Sequence, residues 1–136
     1  AGLRIGFAIG NSKVINIINR VTGPYDVNSI AVISAFAALQ DQSYIDLYVK
    51  EVLKAGNWLK TKLEQHKIKH HIGGGNYFLL WPRSGATETE NKLKESGILV
   101  RSMDKKINLK GSLRVSIGTA EQMKRFWSAF KLIEKI

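Results

Sequence analysis

The chain has 136 residues, enough for one domain with a real core, and its 44% hydrophobic and 24% charged content is ordinary for a globular protein, which excludes disordered, collagen-like and coiled-coil classes. It contains no cysteine, so disulfides, thiolate metal ligands and cysteine nucleophiles are excluded. The net charge of +10, from 21 Lys and Arg against 11 Asp and Glu, invites an anionic partner, but most lysines lie in Lys50 to Lys69 and Lys124 to Lys135, interleaved with acids at the spacing of a solvated helix face, so no nucleic-acid partner is expected.

The first ten residues, apolar and punctuated by Gly2, Gly6 and Gly10, predict a short strand. Asn11 to Ile18 follow as a short helix with Ser12 as its cap, broken by Thr22-Gly23-Pro24. Ser29 to Leu39 predict a second helix, capped by Asn28 or Ser29, with Ile30, Ile33, Phe36 and Ala37 among its apolar positions. Its apolar run is interrupted by Ser34 and is far too short to span a bilayer; no membrane partner is expected, and a cytoplasmic location is the default expectation. A long crossing helix is predicted at about 43–66, where Ile45, Val49, Val52, Leu53, Gly56, Leu59 and Leu63 recur at steps of three and four.

The remainder predicts strand, strand, helix, strand, strand, helix. Ile68 to Ile72 and Asn76 to Trp81 are the first two strands, separated by Gly73-Gly74-Gly75 and stopped by Pro82. Thr87 to Ser96 is a helix ended by Gly97, and Ile98 to Met103 and Leu113 to Ile117 are strands joined by a polar, hairpin-like connection. Thr119 to Gln122 reads as a capping box that opens an amphipathic helix to Ile136. The fold class is a small α/β layer unit, with helices packed on one small sheet.

Arg4, flanked by Gly2 and Gly6, is a candidate anion ligand, because backbone can approach a ligand closely at glycine and a guanidinium can fork two hydrogen bonds onto phosphate. Glycine and arginine near a strand end are more often turn chemistry and surface charge, and taken alone Arg4 reads that way. Arg101 and Arg114 each sit on an otherwise apolar strand, where a charge is costly unless an anion or carboxylate pairs with it. On adjacent antiparallel strands they would converge on one anion; on edge strands each would snorkel outward, and both arrangements are open at this level. His66, His70 and His71 read as surface residues rather than metal ligands, the triple glycine as a turn rather than a phosphate cradle, and Trp58, Trp81 and Trp127 as packing residues. No serine, histidine and acid triad signature is present.

Four blocks in order, Ala1-Gly2-Leu3-Arg4-Ile5-Gly6-Phe7, Gly23-Pro24-Tyr25-Asp26-Val27-Asn28, Gly97-Ile98-Leu99-Val100-Arg101 and Leu113-Arg114-Val115-Ser116-Ile117-Gly118-Thr119, resemble the C-terminal half of the histidinol-phosphate aminotransferase family, class I/II enzymes of fold type I that use pyridoxal 5'-phosphate (PLP). The resemblance covers nearly the whole chain, with compatible gaps. Asp26 departs from it, standing where many members carry asparagine. The resemblance implies that residues 1–20 are a remnant of the large PLP-binding domain and 21–136 the C-terminal small domain that closes over substrate. It implies that Arg4 binds the PLP phosphate and that Arg101 and Arg114 hold the anionic end of the substrate, the phosphate of histidinol phosphate. It also implies a homodimeric parent that takes a phosphorylated amino substrate and a 2-oxo acid such as 2-oxoglutarate. The Schiff-base lysine of the family falls before Ala1, so this stretch alone is expected to supply no catalytic residue, to be inactive and not to bind PLP. Threonine-phosphate decarboxylases and aromatic aminotransferases share much of the scaffold. A different class, a stand-alone phosphometabolite-binding module built on Arg101 and Arg114, is the competing expectation.

Overall fold

The computed structural model describes residues 2–23 and 26–136, so Ala1, Pro24 and Tyr25 of the blocks above, and the helix break expected at Pro24, lie outside the described residues. Helices α1 (Ser12–Asn19), α2 (Ser29–Gln40) and α3 (Gln42–Gln65) are followed by β1 (Lys69–Ile72), β2 (Tyr77–Trp81), α4 (Ala86–Glu95), β3 (Arg101–Ser102), a one-turn 3₁₀ helix (Ile107–Leu109), β4 (Leu113–Ser116) and α5 (Ala120–Glu134). The chain divides into two compact units, Ala1–Asp46 and Leu47–Ile136, with the division falling inside α3. No helix among the described residues is long and apolar enough to cross a membrane.

In the first unit the strand expected over the opening residues does not form: among the described residues 2–11 none is in a ladder. A strand is stable only when its N–H and C=O groups meet a neighbour's, and here Phe7 and Ile9 stay 75% and 90% exposed. Helix α1 is capped by Asn11, one residue earlier than expected. The Asn11 side chain accepts from the Lys13 amide at 2.9 Å. Asn28 caps α2, accepting from Ala31 N at 2.8 Å. Asp26 in turn accepts from Gly23 N at 2.7 Å, so the carboxylate that departs from the family pattern has a local turn to hold.

The second unit contains the core. Every i+4 step from Ala55 to Leu59 to Leu63 lands on one face of α3, and all three residues are buried. They join Phe78 and Leu80 of β2, Leu113 and Val115 of β4, Leu93 of α4, and Met123, Phe126 and Phe130 of α5 in one hydrophobic cluster. The sheet order is β1-β2-β4-β3, antiparallel throughout. Because side chains alternate along a strand, placing Phe78, Leu80, Leu113 and Val115 against the helices leaves Tyr77, Leu79, Trp81, Arg114 and Ser116 on the other face. That face carries the charged residues considered below.

Local signals set the element ends. Gly97, at φ 71°, closes α4 in a Schellman motif, with Ile98 N donating to Leu93 O and Gly97 N to Lys94 O, both at 2.9 Å. Thr119 opens α5 with both arms of a capping box, accepting from Gln122 N and donating its own amide to the Gln122 side chain. The strand expected over Ile98 to Met103 is limited to Arg101–Ser102, which pair with Arg114 and Leu113 of β4.

Candidate functional site

The outer face of the sheet brings Arg101 and Arg114 directly opposite each other in the antiparallel β3–β4 pair. Their register is held by the connection between the strands. Met103 N donates to Ser112 O at 2.9 Å, and the buried Ser112 hydroxyl donates to Leu109 O at 2.6 Å. Asp104 ties the same segment to α4: its carboxylate accepts from the Thr87 hydroxyl and from Gly111 N, each at 2.7 Å. The Thr87 hydrogen bond first, and the Gly111 amide second, hold the Asp104 carboxyl below its ordinary range. Trp81 Nε1 adds a 3.2 Å bond to Lys110 O.

The structure combines features of both arrangements left open by the sequence: the two arginines face each other on adjacent antiparallel strands, and Arg101 lies on the edge strand β3. Both arginines are exposed, and together with Leu99, Val100 and Ser116 they line a shallow cleft of about 250 Å³. Like charges placed directly across a sheet repel. Among the described residues no carboxylate forms an ion pair with either, and no group accepts a hydrogen bond from either guanidinium. Two adjacent guanidiniums with donors free of protein partners can together hold a small dianion. The Arg114 guanidinium carbon lies over the ring of Tyr77, 4.4 Å from its centroid, a neighbour that sequence reasoning had placed only as a strand residue.

Arg4 belongs to the other unit. It is exposed and sits at φ 52°, a left-handed conformation uncommon outside glycine. A Cβ built on Gly2 or Gly6 would meet nothing within 4 Å, so the backbone on either side of Arg4 is open to an approaching group. An exposed guanidinium between two unobstructed glycines can fork two hydrogen bonds onto an approaching anion. The histidines are dispersed: His66 packs its ring 5.3 Å from that of Trp127, the His70 Nδ1 bonds Ile68 O at 2.8 Å, and His71 is exposed. Among the described residues no group of three His, Cys, Asp or Glu could hold a metal ion.

Residues 1–130 match the family model described as aminotransferase class I and II. Over 136 residues the chain is 32% identical to the histidinol-phosphate aminotransferase of Pelagibacter ubique (strain HTCC1062), an alignment covering 98% of this chain and 38% of that protein. A solved aminotransferase structure from Erwinia carotovora atroseptica SCRI1043 superposes with a TM-score of 0.82 at 21% identity, over 98% of this chain and 38% of its own. The L-threonine-O-3-phosphate decarboxylase of Porphyromonas gingivalis superposes with a TM-score of 0.72 at 20% identity, over 99% of this chain and 43% of its own. The chain thus spans less than half the length of these proteins, matches them from end to end, and belongs to the aminotransferase class I and II family.

Proposed function

We propose that this chain is the C-terminal part of a PLP-dependent aminotransferase whose substrate is histidinol phosphate and whose amino acceptor is a 2-oxo acid such as 2-oxoglutarate. Residues 1–20 belong to its large domain and 21–136 to the small domain that closes over substrate. The observation that carries this reading is the Arg101 and Arg114 pair, in register and without a protein counter-ion, on a chain 32% identical to a histidinol-phosphate aminotransferase.

Arg101 and Arg114 bind the substrate phosphate, and by fixing that end they orient the amino end. Arg4 holds the phosphate of PLP. When bound, PLP supplies the electron sink through which an amino group is transferred. The lysine that attaches PLP is expected outside these 136 residues, so the chain alone is inactive. The whole polypeptide works as a homodimer.

The test is steady-state kinetics of the full-length polypeptide. Each of Arg101→Gln and Arg114→Gln is expected to raise KM for histidinol phosphate by about 10- to 100-fold, the worth of a charge-assisted hydrogen bond pair. An unchanged KM in both variants defeats the assignment. In parallel, PLP and borohydride should leave no stoichiometric lysine adduct on residues 1–136 alone, and such an adduct with turnover would overturn the inactivity. A second reading, a phosphothreonine-type decarboxylase, is favoured by the likeness to the Porphyromonas gingivalis protein. Release of carbon dioxide from O-phosphothreonine, with no amino transfer from histidinol phosphate, would select it.

A further inference from the structure

Tyr77 begins β2, pairs with Ser116 of β4 in the ladder, and is half-buried. Alternation puts its ring on the same face as Arg114, whose guanidinium carbon lies 4.4 Å from the ring centroid. An Arg side chain has several rotatable bonds, and an exposed one normally samples many orientations. Here the rows on either side restrict it. Leu79, directly opposite Arg114 in the ladder, is apolar and only 8% exposed, while the Arg114 head meets an aromatic face. The same face repeats the device at its far edge, where Lys69 Nζ lies 4.8 Å from the Trp81 ring centroid. A ring contact satisfies the cation's charge without using its N–H groups, because the attraction is to the π face rather than to a lone pair. Those donors remain available, since among the described residues no carboxylate or carbonyl takes one.

We propose that Tyr77 is a positioning residue for the anion site: its ring face holds the Arg114 guanidinium in place beside Arg101 while leaving the N–H donors of Arg114 for a bound phosphate. This rests on the reading of Arg101 and Arg114 as phosphate ligands. The ring face does the holding and the phenolic hydroxyl is dispensable.

The experiment uses the full-length PLP-loaded polypeptide and reads KM and kcat for histidinol phosphate. Tyr77→Leu is expected to raise KM about three- to tenfold with a smaller change in kcat, and Tyr77→Phe to stay within about twofold of the parent. Pentafluorophenylalanine at position 77 keeps the ring's shape and inverts its charge distribution, so it should raise KM as Leu does even if the Leu variant folds poorly. In the Arg114→Gln background, replacing Tyr77 by Leu should add little, because its effect runs through Arg114. Equal KM for the pentafluorinated and the Phe proteins would overturn the role of the ring face, and so would fully additive effects in the double variant. If Arg114→Gln itself leaves KM unchanged, the phosphate site fails; if it raises KM while the ring variants do not, only the role of Tyr77 fails.

Discussion

The proposed role of Arg101 and Arg114 as phosphate ligands requires arginine rather than a mere cation, because a planar guanidinium offers paired donors to two oxygens of one phosphate and an ammonium presents a single point of charge. Arg114→Lys tests that distinction with charge conserved. Lysine would also lose the flat contact over Tyr77, so both the fork and its support go together. In the full-length polypeptide KM for histidinol phosphate is expected to rise about tenfold, and a value within twofold of the parent would show that charge alone suffices. The two arginines on otherwise apolar strands were legible in the sequence as a candidate pair, with a shared anion and outward snorkelling both open, since burying a charge without a partner is costly. Their face-to-face register was not legible, because it depends on Asp104, Ser112 and the 3₁₀ turn that fold the connection. Nor was Tyr77, whose meeting with Arg114 is made by ladder pairing between segments far apart in the chain.

Among the elements, the ends with a dedicated chemical signal were read well and the elements that need a partner were read less well. Gly97 and the Thr119 box mark helix ends by themselves, through a left-handed backbone and a pair of reciprocal hydrogen bonds. The opening segment has the apolar content of a strand but no ladder partner among the described residues, while β3 is limited to the two residues that pair with β4. Lys67 shows the opposite case, a Schellman-type end to α3 at φ 54° without glycine, which no sequence rule would have marked. The tie between α4 and the β3–β4 connection has a pH signature. Hydrogen bonds from Thr87 and Gly111 depress the Asp104 carboxyl in the folded chain, so its stabilising contribution is present above the unfolded carboxyl pKa of about 3.9 and is lost as pH falls through the lower folded value. Asp104→Asn keeps the shape, with an oxygen for Gly111 N and an amide for the Thr87 hydroxyl, and removes the titration. The Tm difference between parent and variant should therefore be positive at pH 7 and shrink toward zero below pH 4; a difference independent of pH would mean that the carboxylate charge is irrelevant to the tie.

For the whole molecule, the two units differ in what holds them. All buried members of the main hydrophobic cluster lie between Ala55 and Phe130, whereas among the described residues of Ala1–Asp46 the buried hydrophobic residue is Ala31, and Ile30, Ile33 and Phe36 of α2 are 71%, 69% and 63% exposed. A helix that is apolar on all sides and still meets water contributes little to folding, since its stability in a protein comes from a buried face. The free energy of this chain should thus reside almost entirely in the second unit. A chain of residues 42–136, which keeps α3 whole, is expected to unfold in one cooperative transition with a Tm within a few degrees of the full 136 residues and with the near-UV signal of the buried Trp127 retained. Residues 1–41 alone should show no cooperative transition. If the shorter chain instead loses its transition, the first unit supplies stabilisation beyond what its own burial accounts for. A retained transition would mean that the sheet carrying Arg101 and Arg114 is an autonomous scaffold, on which the proposed phosphate recognition can be tested apart from cofactor chemistry.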